Sequence, residues 1–276
     1  MSSKKTQGIA QIYSERHHAG WGAVAAKPYA NYGYWIREGM TLDEARDAMS
    51  EAVAEASGMA EGNRVLEVGC GYGASAVQYT ERFKPASVIG LDITEPRIEN
   101  ARKYIAQNGL SDVIKVAVGD ATKLDFPDGS FERVIAIECA LHFDTREDFL
   151  REAARVLVPG GGLGMADICL RKGMDRQAFL EGVHFPAGSD GTLDVPENVH
   201  DVDVYAEKLR ACGFTDVRID IITKQTLPPM LVQLHKLARD TQDERGPRRL
   251  LAAQIYQRYL DLGLEYVLVS ARRGAP

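Results

Sequence analysis

The chemistry-bearing residues of this 276-residue chain stand at the ends of apolar runs. The stretch Val65-Leu66-Glu67-Val68-Gly69-Cys70-Gly71-Tyr72-Gly73-Ala74 runs into three glycines on alternate positions. Glycine lets a backbone bend sharply and approach a ligand, because a Cβ there would collide or forbid the dihedral angles. Gly69, Gly71 and Ala74 fit the G-x-G-x-x-G/A loop for a dinucleotide, and Asp92 follows at about the spacing of a ribose-holding acid. Glu67, Gly69, Gly71 and Gly73 fit an E-x-G-x-G-x-G turn equally well, so the loop alone leaves its nucleotide open. Further on come Asp92 in IGLDIT, Asp120 in VGDA, Glu138 and His142 in IECALHF, and Asp167 in MADI. Carboxylates can hold a ribose diol or accept from an adenine amino group. A neutral imidazole can take the proton of an attacking hydroxyl, a role worth about 10²–10⁴-fold.

These residues need one edge to stand on, and the hydrophobic pattern supplies it. Strand-like runs at 64–69, 87–93, 114–120, 133–139 and 161–170 alternate with helical stretches at 74–83, 96–107 and 145–157. That alternation predicts a parallel sheet covered on both faces. Before it, Thr41-x-x-Glu44 opens a capped helix over 41–57 that Gly58 ends. After residue 171 the pattern loosens into a Gly- and Pro-bearing loop over 182–198. It resumes as a helix at 201–211, the strand FTDVRIDIIT, a helical insert at 228–262 and a last strand, LEYVLVSARR. The expected fold is α/β, a doubly wound, mostly parallel seven-stranded sheet. Residues 1–58 form a helical arm, and 59–276 form a core with lid insertions at about 171–200 and 228–262. Inserts of this kind commonly cover the carboxyl edge, where open α/β sheets bind ligands.

The bulk composition narrows the partners. A net charge of -6 argues against a nucleic-acid surface, which demands clustered Lys and Arg. No apolar run reaches the roughly 18–20 residues of a membrane span, and the N-terminus lacks the apolar centre of a signal peptide. A cytoplasmic enzyme acting on a small molecule is expected, without membrane or nucleic acid. The four cysteines are far apart, which favours small buried thiols over a zinc or redox pair. No His/Asp/Glu spacing suggests a metal. The exposed insert at 228–262 could pair two subunits as a homodimer.

The acids argue for a phosphate-free nucleotide. Glu67 and its carboxylate neighbours would repel a pyrophosphate but suit a cation. S-adenosylmethionine carries an adenosine, an amino acid and a sulfonium, with no phosphate. At this point the chain also resembles a known family. VLEVGCGYGA, IGLDIT, VGDATKLDFPDGSFERVIAIECALHF and REAARVLVPGGGLGMADI are similar, in order and spacing, to successive motifs of class I S-adenosylmethionine-dependent methyltransferases acting on small molecules. The resemblance is close over 60–170 and weaker to the end, where KLRACGFTDVRI resembles the family's late helix-strand turn. NYGYW at 31–35 and His142 are similar to features of the bacterial natural-product branch, including enzymes that modify the sugars of glycosylated metabolites. A dehydrogenase would need a second mononucleotide half, which the chain lacks.

The resemblance implies a site. Gly69, Gly71 and Gly73 would approach the methionine portion of the cofactor, with Glu67 beside them. Asp92 would grip the ribose and Asp120 the adenine, and Ile93 and Ala121 belong to the same site. Tyr34, with Trp35 and Tyr29, would close over the amino-acid end, where aromatic faces near a sulfonium add roughly 0.5–2 kcal/mol. His142 would act as general base for O-methylation, with Asp167 orienting it or binding the acceptor. Glu138 would face cofactor or acceptor. His184, His235, Tyr256 and Tyr259 are candidates to line the acceptor pocket. N-methylation needs no strong base, and C-methylation of an alkene would use a carboxylate such as Glu138 to hold a cation. A non-catalytic module binding the same cofactor and an NAD(P) oxidoreductase are the readings from other classes.

Overall fold

The computed structural model describes residues 27–183, 195–241 and 245–275, together with Gln7, Gly8, Ala10, Gln11 and Ser14. Seven strands form one sheet: β1 (Arg64–Val68), β2 (Ser87–Asp92), β3 (Ile114–Val118), β4 (Phe131–Ile137), β5 (Leu157–Leu170), β6 (Phe214–Ile221) and β7 (Leu264–Arg273). Their order is β3-β2-β1-β4-β5-β7-β6. The first five pair in parallel, and β7 runs antiparallel to both its neighbours. The expected doubly wound, mostly parallel sheet is therefore present. Its order reverses between β1 and β4, the switch point where such sheets open a crevice.

Helices cover both faces. On one lie α1 (Leu42–Ser57), α2 (Ala74–Phe83) and α3 (Glu95–Gln107), and on the other α4 (Arg146–Val156) and α6 (Val202–Ala211). The helices α5 (Arg176–Gly182), α7 (Leu227–Arg239) and α8 (Arg245–Asp261) belong to the two inserts. Among the described residues no helix is long and apolar enough to cross a membrane.

Local sequence explains these boundaries. The Thr41 hydroxyl accepts from Glu44 N–H and the Glu44 carboxylate accepts from Thr41 N–H, which closes the capping box of α1. The small residues of PGGGLG let α1 settle onto β5. A Cβ at Gly164 would stand 2.3 Å from the Val53 carbonyl oxygen. The first four strands end one or two residues before the pattern-based reading, and two of these ends bear on the site. Strand β3 stops at Val118, and β4 stops at Ile137. Asp120 and Glu138 therefore sit on the loops beyond their strands, where side chains are free of the pleat and can face a ligand.

Candidate active site

The glycine turn joins β1 to α2, and its members do different jobs. Gly69 has φ +65°, and a Cβ there would lie 2.5 Å from Cys139 Cβ on the neighbouring β4 loop. Gly71 has φ +54°, and a Cβ there would meet nothing within 4 Å. Gly73, at φ +78°, caps α2. Gly69 is thus small because protein is close, whereas Gly71 borders open space. Gly71→Ala is expected to cost about 1–2 kcal/mol for the left-handed backbone and to weaken cofactor binding in a folded protein. Gly69→Ala should mainly lower the melting temperature. Calorimetric titration beside thermal melts would separate the two, and equal loss of affinity in both variants would contradict this division.

The expected acids lie around that turn. Asp92 is buried, and its Oδ2 accepts from Gly71 N–H at 3.0 Å while Oδ1 accepts from Thr94 N–H at 2.9 Å. Its carboxylate therefore latches the turn, and each oxygen keeps a second lone pair for a diol. Asp120 Oδ1 accepts from Thr122 N–H at 3.0 Å and from its hydroxyl at 2.7 Å. Asp120 Oδ2 is buried with no hydrogen-bond partner among the described residues. A buried acceptor left open is costly, and an adenine amino group would satisfy it. Ile93 is half-buried, and Ala121 packs in the apolar cluster with Leu91 and Leu124.

Glu67 departs from the expected charged neighbour. It is 2% exposed, and its Oε2 accepts from the Tyr79 hydroxyl at 2.7 Å. Burial pushes its carboxyl up to about 8; the Tyr79 hydrogen bond opposes this and the nearby Asp92 adds to it. Near neutrality the group is largely protonated, so the negative charge read from the motif is mostly absent there. A raised folded pKa contributes stability that is complete below the ordinary carboxylate value and lost as pH rises through the folded one. Glu67→Gln keeps an acceptor for Tyr79 and cannot ionise. Its melting temperature should match wild type near pH 4 and exceed it increasingly up to about pH 9. An unchanged gap across that range would refute the assignment.

Past β4 the chain turns sharply. Glu138 takes φ +53°, a left-handed conformation rare for a side-chain-bearing residue and a frequent mark of functional loops. Its Oε1 accepts from Tyr32 N–H at 2.8 Å and from the Tyr266 hydroxyl. Burial pushes its carboxyl up to about 7, against the pull of these two donors and of Arg46, with Asp167 adding to the rise. The Tyr32 hydroxyl donates to the Tyr256 hydroxyl at 2.7 Å, and the two rings meet edge to face at 5.1 Å. That contact brings α8 against the segment that caps the carboxyl end of β4.

His142 ends the short 3₁₀ turn Ala140–His142 and is half-buried. Asn198, unnoticed in the sequence, holds this turn: its side-chain amide donates to Leu141 O at 2.9 Å and Phe143 O at 2.8 Å. No local pattern marks it, because its partners lie more than fifty residues away. Asp167 is not arranged to orient His142. Its Oδ2 accepts from the Tyr205 hydroxyl at 2.7 Å and pairs with Arg146 Nε at 2.8 Å, and its Oδ1 accepts from Ile168 N–H. Strand alternation turns Asp167 toward α4 and α6. Burial works against the Arg146 charge, but Asp167 and Tyr205 more than offset it and raise its pKa.

The remaining candidates divide. The Tyr34 amide donates to Ala45 O at 2.7 Å, and the Trp35 amide to Gln225 O at 2.8 Å, which fixes the segment between α1 and the start of α7. Tyr29 is buried and donates to Asp47, which also pairs with Lys27 at 2.7 Å. Its hydroxyl is therefore tied to α1 rather than free to close over a ligand. Tyr256 and Tyr259 pack in an aromatic cluster with Tyr32 and Phe179, whereas His235 is exposed. His184 lies outside the described residues. Among the described residues no group of three or more His, Cys, Asp or Glu side chains is gathered for a metal ion.

Comparison with known proteins matches residues 65–161 to a methyltransferase domain family. The chain is 32% identical to erythromycin 3''-O-methyltransferase of Saccharopolyspora erythraea, an alignment covering 95% of this chain and 88% of that protein. It is 31% identical to 27-O-demethylrifamycin SV methyltransferase of Amycolatopsis mediterranei, over 72% of this chain and 71% of that one. Among solved structures, the [4+2]-cyclase SpnF superposes with a TM-score of 0.78 at 24% identity, covering 98% of this chain and 97% of the other. Sheet order, glycine turn, acids and relatives converge: the chain belongs to the class I S-adenosylmethionine-dependent methyltransferases, in their small-molecule, natural-product branch.

Proposed function

We propose that this enzyme methylates a hydroxyl oxygen of an apolar or glycosylated secondary metabolite, with His142 as proton acceptor. The carrying observation is the placement of Glu138 and His142 on one turn past β4, next to the β1 turn that Cys139 packs against. When bound, S-adenosylmethionine supplies an electrophilic methyl carbon on a sulfonium. The open side of Gly71, with Gly69 and Gly73 shaping the bend, would receive its amino-acid end under Tyr34. Asp92 and Ile93 would meet the ribose, Asp120 and Ala121 the adenine, and Glu67 would support the turn through Tyr79. Holding nucleophile and electrophile in line is worth up to about 7–11 kcal/mol, so this scaffold supplies much of the catalysis by positioning.

Oxygen is favoured because the relative that aligns over 95% of the chain is named as an O-methyltransferase. A second reading rests on a separate feature. Tyr32 N–H and the Tyr266 hydroxyl meet the half-buried Glu138, and the Tyr256 ring lies against Tyr32, an aromatic and acidic set able to hold a cation during C-methylation or a cationic amine. A geranyl diphosphate C-methyltransferase from Streptomyces coelicolor shares the fold, with a TM-score of 0.76 at 17% identity. Incubation with the cofactor and hydroxylated macrolides or glycosides, read by mass spectrometry and by NMR of the new methyl group, decides between them. A methyl resonance on carbon or nitrogen rules out the oxygen assignment. Cofactor binding without transfer to any acceptor favours a non-catalytic module.

A further inference from the structure

We propose that Asn198 is a positioning residue for His142, and that Arg176 of α5 holds Asn198 in register. A short 3₁₀ turn leaves the carbonyls at its C-terminal end without partners inside the turn. Around Ala140–His142, three such carbonyls converge on the Asn198 side chain. Its Nδ2 donates to Leu141 O at 2.9 Å and to Phe143 O at 2.8 Å, with Ala140 O further off at 3.4 Å. Its Oδ1 accepts from Arg146 N–H at 2.7 Å, an amide that the start of α4 leaves without a helical partner. Both ends of the side-chain amide are therefore in use, and Asn198 is 4% exposed. It joins the turn that carries His142 to the helix that follows it.

The first insert supplies the rest of the frame. Asn198 ends the 3₁₀ turn Pro196–Asn198, and Arg176 is the first residue of α5. Arg176 Nε donates to Val199 O at 3.0 Å and Nη2 to Pro196 O at 2.7 Å, so one guanidinium brackets the backbone on both sides of Asn198. From the α4 side, Arg146 Nη1 donates to Asn198 O. Phe179 of α5 is buried and meets the Tyr259 ring of α8 at 6.4 Å. Contacts thus run from α8, whose Tyr256 and Tyr259 are candidates for the acceptor pocket, through α5 and Arg176 to Asn198 and His142. A carboxylate at 198 would set acceptor against acceptor, and a smaller side chain would leave these carbonyls short of donors. Misplacing a reacting group by about 1 Å can cost about 10²-fold, so a frame that acts only through His142 is enough to govern turnover.

The inference rests on His142 being the base, and the test separates the two. With the hydroxylated macrolide or glycoside that wild type methylates, Asn198→Ser, which keeps one donor, should lower kcat about 10-fold and Asn198→Asp about 100-fold, while KM and affinity for S-adenosylhomocysteine stay within about two-fold. Arg176→Met, at an exposed position, should lower kcat about 3- to 10-fold in a folded enzyme. In a His142→Ala background these losses should vanish, because the frame has nothing left to position. Wild-type kcat in Asn198→Ser and Arg176→Met, or losses that persist in full without His142, overturns the proposal. If His142→Ala alone has no effect, the base assignment falls and this inference with it. Enzyme labelled with carbon-13 histidine gives a reading that needs no acceptor. The His142 imidazole signal, assigned by its loss in His142→Ala, should move in both Asn198→Ser and Arg176→Met, and an unmoved signal overturns the proposal. If the Asn198 variants do not fold, Arg176→Met carries both measurements.

Discussion

Asp167→Ala is expected to cost about 3–5 kcal/mol of folding stability, because it leaves Arg146 buried without a counter-charge. Arg146 is 3% exposed, stacks over the Tyr205 ring at 4.5 Å, and uses its other nitrogens on the Asn198 and Ile168 carbonyl oxygens. Removing the carboxylate also strands the Tyr205 hydroxyl. Denaturant unfolding measures the loss. Replacing Arg146 and Asp167 together by apolar residues should recover part of it, since the double variant contains no lone charge. If Asp167 instead served His142 directly, its removal would leave stability near wild type and depress turnover alone. Some loss of turnover is compatible with the structure, because Arg146 N–H donates to Asn198 Oδ1 at 2.7 Å and Asn198 holds the His142 turn. That route is mechanical, so the loss should follow unfolding with temperature.

His142→Ala should lower kcat by about 10²–10⁴-fold while affinity for S-adenosylhomocysteine stays within a few-fold of wild type. A hydroxyl is a poor nucleophile until its proton leaves, and the imidazole is the group the sequence motif and the fold both bring to this edge. The 3₁₀ turn has its own support in His142 N–H donating to Cys139 O at 3.0 Å, so truncating the side chain leaves its backbone in place. Single-turnover assays with excess enzyme isolate the chemical step from product release. Turnover within a few-fold of wild type would remove His142 from proton transfer. The parallel variant Glu138→Gln then becomes informative. A carboxyl pushed up to about 7 by burial could itself accept the proton, with activity rising as pH passes through that value.

Much of the architecture was legible because it is written in local periodicity. Alternating apolar runs and amphipathic stretches specify strands and helices over five to seventeen residues, and parallel strands need the crossover helices found between them. The Thr41–Glu44 box and the glycine bend are equally local, since capping and positive φ depend on a few neighbouring residues. Asp92, Asp120, Glu138 and His142 could be placed at one sheet edge for the same reason: each ends a strand or lies within five residues of a strand's carboxyl end.

Partners were decided by the tertiary structure alone. The position of Asp167 near the end of β5 suggests that it orients His142 or binds the acceptor, but strand alternation turns it to Arg146 and Tyr205, residues from helices on the opposite face. Glu67 lost most of its charge through burial that no single segment reveals. Asn198 carried no signal at all, since its importance comes from the His142 turn being folded against it. The order of helices and strands follows from steric and hydrophobic preferences that act along the chain. Which buried charge meets which partner depends on desolvation and on contacts between segments distant in sequence, and these exist only once the sheet has closed its layers.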